Sequence, residues 1–145
     1  MTTDDDAFTL ALDDPRQAGV FFVTGDDLDA LAASALDADL LLRRIDLRDC
    51  DGKDALLARL QDALAMPPGG HNWDALSDRL RDLSWLPAPG YALLLANAGD
   101  LRDADETSFD TLLDILDVAT VDWQQRNVPF WAFLALPESD VPPPG

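Results

Sequence analysis

Asp74, Asp78 and Asp82 recur at every fourth position within Asn72-Trp73-Asp74-Ala75-Leu76-Ser77-Asp78-Arg79-Leu80-Arg81-Asp82. On a helix this spacing puts three carboxylates along one face, with Cβ atoms of neighbouring acids about 5–6 Å apart. Two carboxyls so spaced approach the separation of a retaining glycosidase pair, which raises acid–base catalysis as a first chemistry. A single convex helix, however, offers no enclosed pocket to drive two carboxyl pKa values apart. The chain also holds one histidine, His71, and has neither a nucleophile elbow nor a GxxxxGK phosphate loop. The residues therefore point away from an enzyme. Two readings of the acids stay open: a solvated face of an acidic protein, or a carboxylate ridge kept for a positively charged partner.

The elements that would position these acids are legible. Met66-Pro67-Pro68-Gly69-Gly70-His71 cannot continue a helix, and Asn72 is a good N-cap type. From Trp73 the apolar positions Trp73, Leu76, Leu80 and Leu83 recur at helical spacing and predict the buried stripe. The acids occupy the opposite side, with Ser77 and Arg81 beside them. Like charges four apart cost an isolated helix roughly 0.2–0.5 kcal/mol per pair. The macrodipole favours only Asp74, in the first turn, and disfavours Asp82 near the last. Arg81 stands three residues from Asp78 and can relieve it.

These residues resemble the barstar family of small intracellular inhibitors of secreted bacterial ribonucleases. The family's pattern is a helix ending in Leu-Pro, an aromatic-rich loop, then Gly-x-Asn-(Leu or Trp)-Asp-Ala-Leu and an acidic helix. Here it reads Ala65-Met66-Pro67, then Gly70-His71-Asn72-Trp73-Asp74-Ala75-Leu76, with Asp82-Leu83-Ser84-Trp85 similar to the ending many members carry. The resemblance runs over residues 40–136 and is most specific at 70–76. It implies a parallel sheet flanked by helices. It also implies a helix and preceding loop that enter a ribonuclease cleft, where carboxylates replace RNA phosphate. Carried over by position, the two main helix acids fall on Asp74 and Asp78, the loop asparagine on Asn72, and an acid of a later helix on Asp122. The chain departs from that pattern in three ways. Its loop is a residue shorter and lacks the aromatic pair, Ser77 stands where a helix tryptophan is expected, and Arg81 intrudes on the face.

Composition sets the bounds. The chain has 145 residues, of which 48% are hydrophobic, enough for a folded domain with a proper core. It carries 28 acids against 10 bases, a formal net charge of −18. Such a balance disfavours nucleic acid and anionic membrane as partners and favours rapid association with a basic protein. All but Glu106 and Glu138 of the acids are aspartate, and Lys53 is the one lysine. Genomic composition or a salt-adapted host would produce the same excess. No apolar run approaches the ~20 residues of a membrane span, and no secretory signal is visible. Cys50 stands alone, which fits a reducing compartment. A cytoplasmic location is expected.

Read in order, residues 1–18 form an acidic segment, expected to be flexible, in which Phe8, Leu10 and Leu12 alternate as for a short edge strand. Strand-length apolar runs at Gly19–Thr24 and Leu40–Leu47 bracket a helix from Leu28 to Leu36, the βαβ pattern of a parallel sheet. This front unit exceeds the compact barstar plan. Asp49-Cys50-Asp51-Gly52 only faintly echoes a calcium loop, lacking acids at Leu47 and Ala58. Asp51 is instead expected to cap the helix carrying Leu56, Leu57, Leu60 and Leu64. Tyr91–Ala96 reads as a strand covered on both faces, and Asn97–Glu106 as a polar loop. Thr107 with Asp110 is expected to open a helix to Arg126, before a last strand at Phe130–Leu136.

The expectation is an α/β barstar-like three-layer domain over residues 19–136, with about four mostly parallel strands, about four helices and the extra N-terminal βα unit, followed by a proline-rich tail at 137–145. Its function is expected to be inhibition of a basic secreted ribonuclease or nuclease toxin by a protein that is monomeric when free, with neither cofactor nor metal. The partner-binding residues would be Gly70, His71, Asn72, Asp74, Ser77, Asp78, Arg81, Asp82 and Asp122. The alternative is a barstar-fold interaction or regulatory module without a nuclease target. The tryptophans at 73, 123 and 131 are expected in the core, whereas Trp85 could sit there or at the rim of the face.

Overall fold

The computed structural model describes residues 12–67 and 72–137. Four strands, β1 (Val20–Val23), β2 (Leu41–Asp46), β3 (Tyr91–Ala96) and β4 (Phe130–Ala135), form one sheet in the order β1-β4-β3-β2. Every neighbouring pair is parallel, with Val20 opposite Ala132, Tyr91 opposite Phe130, and Leu41 opposite Tyr91. Five helices accompany them: α1 (Leu28–Asp37), α2 (Lys53–Ala63), α3 (Trp73–Asp82), α4 (Ala98–Ala104) and α5 (Glu106–Gln125).

The order of strands dictates the layers. From β1 the chain crosses two strands to reach β2, then returns through β3 to β4. Parallel crossovers are right-handed, so the reversal of direction sends α1 to one face and the later helices to the other. Two hydrophobic cores result. On one face α1 places Leu28, Leu31, Ala32 and Ala35 against Leu94, Trp131 and Phe133. On the other, α2, α3 and α5 bury Leu60, Leu80 and Leu116 against Leu93, Phe130 and Leu134. β3 and β4 are central, so both their faces are covered and their runs are apolar throughout.

Residues 12–18 pack onto this body. Leu12 is buried in the α1 core, and the Trp131 indole donates to its carbonyl at 2.8 Å. The proposed alternation of Phe8 and Leu10, like the tail from 138 onward, lies outside the described residues.

Three local expectations are corrected. The polar loop at 97–106 holds α4, a helix too short for its buried Ala98 and Leu101 to show as a period. The N-cap of α5 is Asp105, not Thr107: its carboxylate accepts from the Ser108 amide at 3.1 Å and the Ser108 hydroxyl at 2.7 Å. Gly52, not Asp51, occupies the N-cap of α2, which has no side-chain acceptor there. Among the described residues no helix is long and apolar enough to cross a membrane.

Candidate functional site

α3 begins where the sequence predicts. The Asn72 carboxamide accepts from the Ala75 amide at 2.8 Å, closing the first turn. Leu76 and Leu80 are buried, and Leu83 ends the helix in a left-handed conformation with its side chain in the core. Trp73 is half-buried, with the Lys53 ammonium 5.5 Å from its ring. Side-chain bonds from tryptophans then tie this region to its neighbours. The Trp123 indole of α5 donates to the Leu80 carbonyl at 2.7 Å. Beyond the helix, the half-buried Trp85 donates to the Leu64 carbonyl at 2.9 Å. Trp123 and Trp131 are core residues as expected.

With the helix held from beneath, its acids face outward. Asp74, Asp78 and Asp82 are all exposed, and Ser77 and Arg81 are half-buried along the flank. Their surroundings differ. Asp74 forms no ion pair among the described residues. Asp78 accepts from the Arg81 guanidinium at 2.7 Å, with its side chain still 73% exposed. Asp82 accepts from the Ser84 hydroxyl at 3.1 Å. Arg81 also donates to the Ser77 carbonyl at 3.3 Å, which aligns it along its own helix. Gly70 and His71 lie outside the described residues.

Asp122 reaches the same region from α5. It accepts from Arg126, one turn later, at 2.6 Å. Arg126 in turn stacks 3.6 Å over the Trp123 ring and donates to the Arg81 carbonyl. A continuous polar seam therefore runs Asp78–Arg81–Arg126–Asp122 across the two helices. The spacing of Asp122 and Arg126 was visible in the sequence, but the bond from Arg126 to α3 was not. Sequence reasoning also missed Val118 and Val121, which lie off the buried stripe of α5 and are exposed.

A second acidic group sits at the carboxyl ends of the strands. Asp46 accepts from the Asn97 amide at 2.8 Å and from the Arg48 backbone at 2.9 Å, and these bonds hold its pKa below the usual 3.8. Asp49 and Asp100 meet there through the Asp49 amide, which donates to the Asp100 carboxylate at 2.9 Å. Among the described residues no three ligating side chains converge as a metal site would require. Cys50 is buried beside this group, and desolvation pushes its thiol up, opposite to a reactive cysteine.

The arrangement can present carboxylates to a cationic surface. The family model described as Barstar (barnase inhibitor) matches residues 40–135, well over half of the 145-residue chain and the whole path from β2 to β4.

The chain belongs to the barstar family.

Within this barstar-family fold the matched span contains α3, α5 and the seam between them, whereas β1 and α1 precede it. The front unit thus supplies the fourth strand and the helix that covers the second face of the sheet. Curated protein sequences offer no match to this barstar-family chain.

Proposed function

We propose that this protein binds and inhibits a basic ribonuclease or nuclease toxin in the cytoplasm, with Asp74 and Asp78 taking the places of RNA phosphates in the enzyme's cleft. One observation carries this reading: in a chain of the barstar family, both carboxylates project outward from a helix anchored to the core by the Trp123–Leu80 bond. An anchored helix loses little freedom when it docks, so its charges meet a basic cleft already in place. Asn72, Ser77 and Asp82 flank the two acids, and Asp122 extends the anionic edge onto α5. The loop residues Gly70 and His71 precede the helix and would enter the cleft with it. Such a partner is a protein, and the net charge of −18 steers the encounter.

The pairing of Asp78 with Arg81 and of Asp122 with Arg126 favours a second reading, an interaction module of the same fold with no nuclease target. Such a face is of mixed charge and suits a mixed partner. One assay separates the two. Purified protein is added to basic ribonucleases and nuclease toxins from its source, and RNA cleavage is followed. Inhibition of at least one enzyme at one-to-one stoichiometry is expected. Removing one member of a buried ion pair costs about 3–5 kcal/mol, so the Asp74→Ala/Asp78→Ala variant should release the enzyme, while Asp103→Ala should not. Full inhibition by the double variant would place the contact elsewhere on the molecule.

A further inference from the structure

We propose that the docking surface continues across the α3–α5 seam onto α5, where Val118 and Val121 receive an apolar side chain that the basic partner carries between cationic residues. The inference rests on the inhibitory reading and names what that reading lacks. Stable protein interfaces have a desolvated apolar centre ringed by polar groups, and a few large contacts there dominate the affinity. α3 presents Asp74, Ser77, Asp78, Arg81 and Asp82 outward, and its half-buried Trp73 carries the Lys53 ammonium over its ring, so the helix offers charge but no large exposed apolar side chain.

The exposed large hydrophobics among the described residues are Phe22, Leu36, Val118 and Val121. Phe22 stacks on Phe109 from strand β1 at 6.4 Å, and Leu36 lies on α1, behind the sheet. Val118 and Val121 alone among these share a helix with Asp122 and lie beside it on one exposed face. They are 51% and 46% exposed. Valine is a poorer helix former than alanine or leucine, and an exposed valine adds little burial, so helix stability gives no reason for either.

Asp117, Val118, Val121, Asp122 and Gln125 all lie on the exposed face of α5, so the two valines form a short apolar stripe flanked by two carboxylates. Two exposed valines between two carboxylates suit an apolar side chain flanked by lysine or arginine. Continuity with the acids of α3 comes through Arg126, which bonds both Asp122 and the Arg81 carbonyl. The Trp123–Leu80 bond fixes the two helices, so the acids and the valines form one preorganised surface.

The test compares Val118→Ser/Val121→Ser with Asp74→Ala/Asp78→Ala against a ribonuclease that the unaltered protein inhibits, measuring association and dissociation rates at low and high salt. The valine variant is expected to dissociate about 10- to 100-fold faster, with its association rate, salt dependence and melting temperature unchanged. The aspartate variant should lose both affinity and salt dependence. Unchanged dissociation of the valine variant, with the aspartates still required, overturns the α5 surface and leaves the inhibitory reading standing. Dispensable aspartates with required valines overturn the carboxylate reading and keep α5. If no basic ribonuclease is bound at all, both fall.

Discussion

Asp78 and Asp74 sit one turn apart on the same outward side, yet only Asp78 is engaged by an arginine among the described residues. That pair is exposed on both sides, 73% and 40%, so it contributes no more than about 1 kcal/mol. A partner that buries Asp78 must first displace Arg81 or accommodate it. Arg81→Gln should therefore tighten binding of the inhibited ribonuclease by up to about five-fold, the most that an exposed pair is worth. Titration calorimetry would measure it, with Arg44→Gln as the charge-matched control, since Arg44 pairs with Asp29 at a different edge of the molecule. Weaker binding by Arg81→Gln would mean that Arg81 itself touches the partner. Single-residue roles of this kind were only half legible beforehand. The Asn72 cap follows from residue type and position. That Arg126 joins Asp122 to α3 depends on how two helices meet, which no local pattern encodes.

Elements were read as well as their periodicity allowed. α3 is strongly two-sided, and its predicted start at Trp73 is the observed one. α4 is not legible as a helix because its buried positions, Ala98, Gly99 and Leu101, include only one large apolar side chain. The start of α5 was displaced because Thr107/Asp110 and Asp105/Ser108 offer capping chemistry in neighbouring registers, and packing decided between them. Gly90 shows the same limit. It precedes β3, at the point where that strand enters between β2 and β4. Its carbonyl accepts from Leu41, and the next amide, of Tyr91, donates to Pro129. A Cβ here would stand 2.5 Å from Leu40 Cδ2 and 2.7 Å from Pro129 Cγ. Gly90→Ala should therefore destabilise the fold by about 1–3 kcal/mol, the usual range for overpacking. Urea denaturation checks this, and a midpoint unchanged from the parent would show that Leu40 and Pro129 yield without cost.

At the scale of the whole molecule, the alternation of strands and helices was enough to give a parallel α/β sheet. Right-handed crossovers then leave α1 alone on one face and the acidic helix on the other. The charge of −18 acts on this body in two opposing ways. Within the free protein, like charges repel across the surface and destabilise the compact state. Between the protein and a basic partner, the same charges attract and speed association. Salt screens both, because the Debye length falls from about 30 Å at 0.01 M to about 3 Å at 1 M. Added sodium chloride should accordingly raise the melting temperature of the free protein, by about 2–4 °C for each 1 kcal/mol of repulsion removed at this size. Over the same range it should weaken the complex with the inhibited ribonuclease, chiefly by slowing association. Parallel calorimetric melts and binding kinetics across one salt series would measure the two signs. If stability and affinity fall together, salt is acting on the fold itself, and the acids are engaged in native contacts rather than held out for a partner.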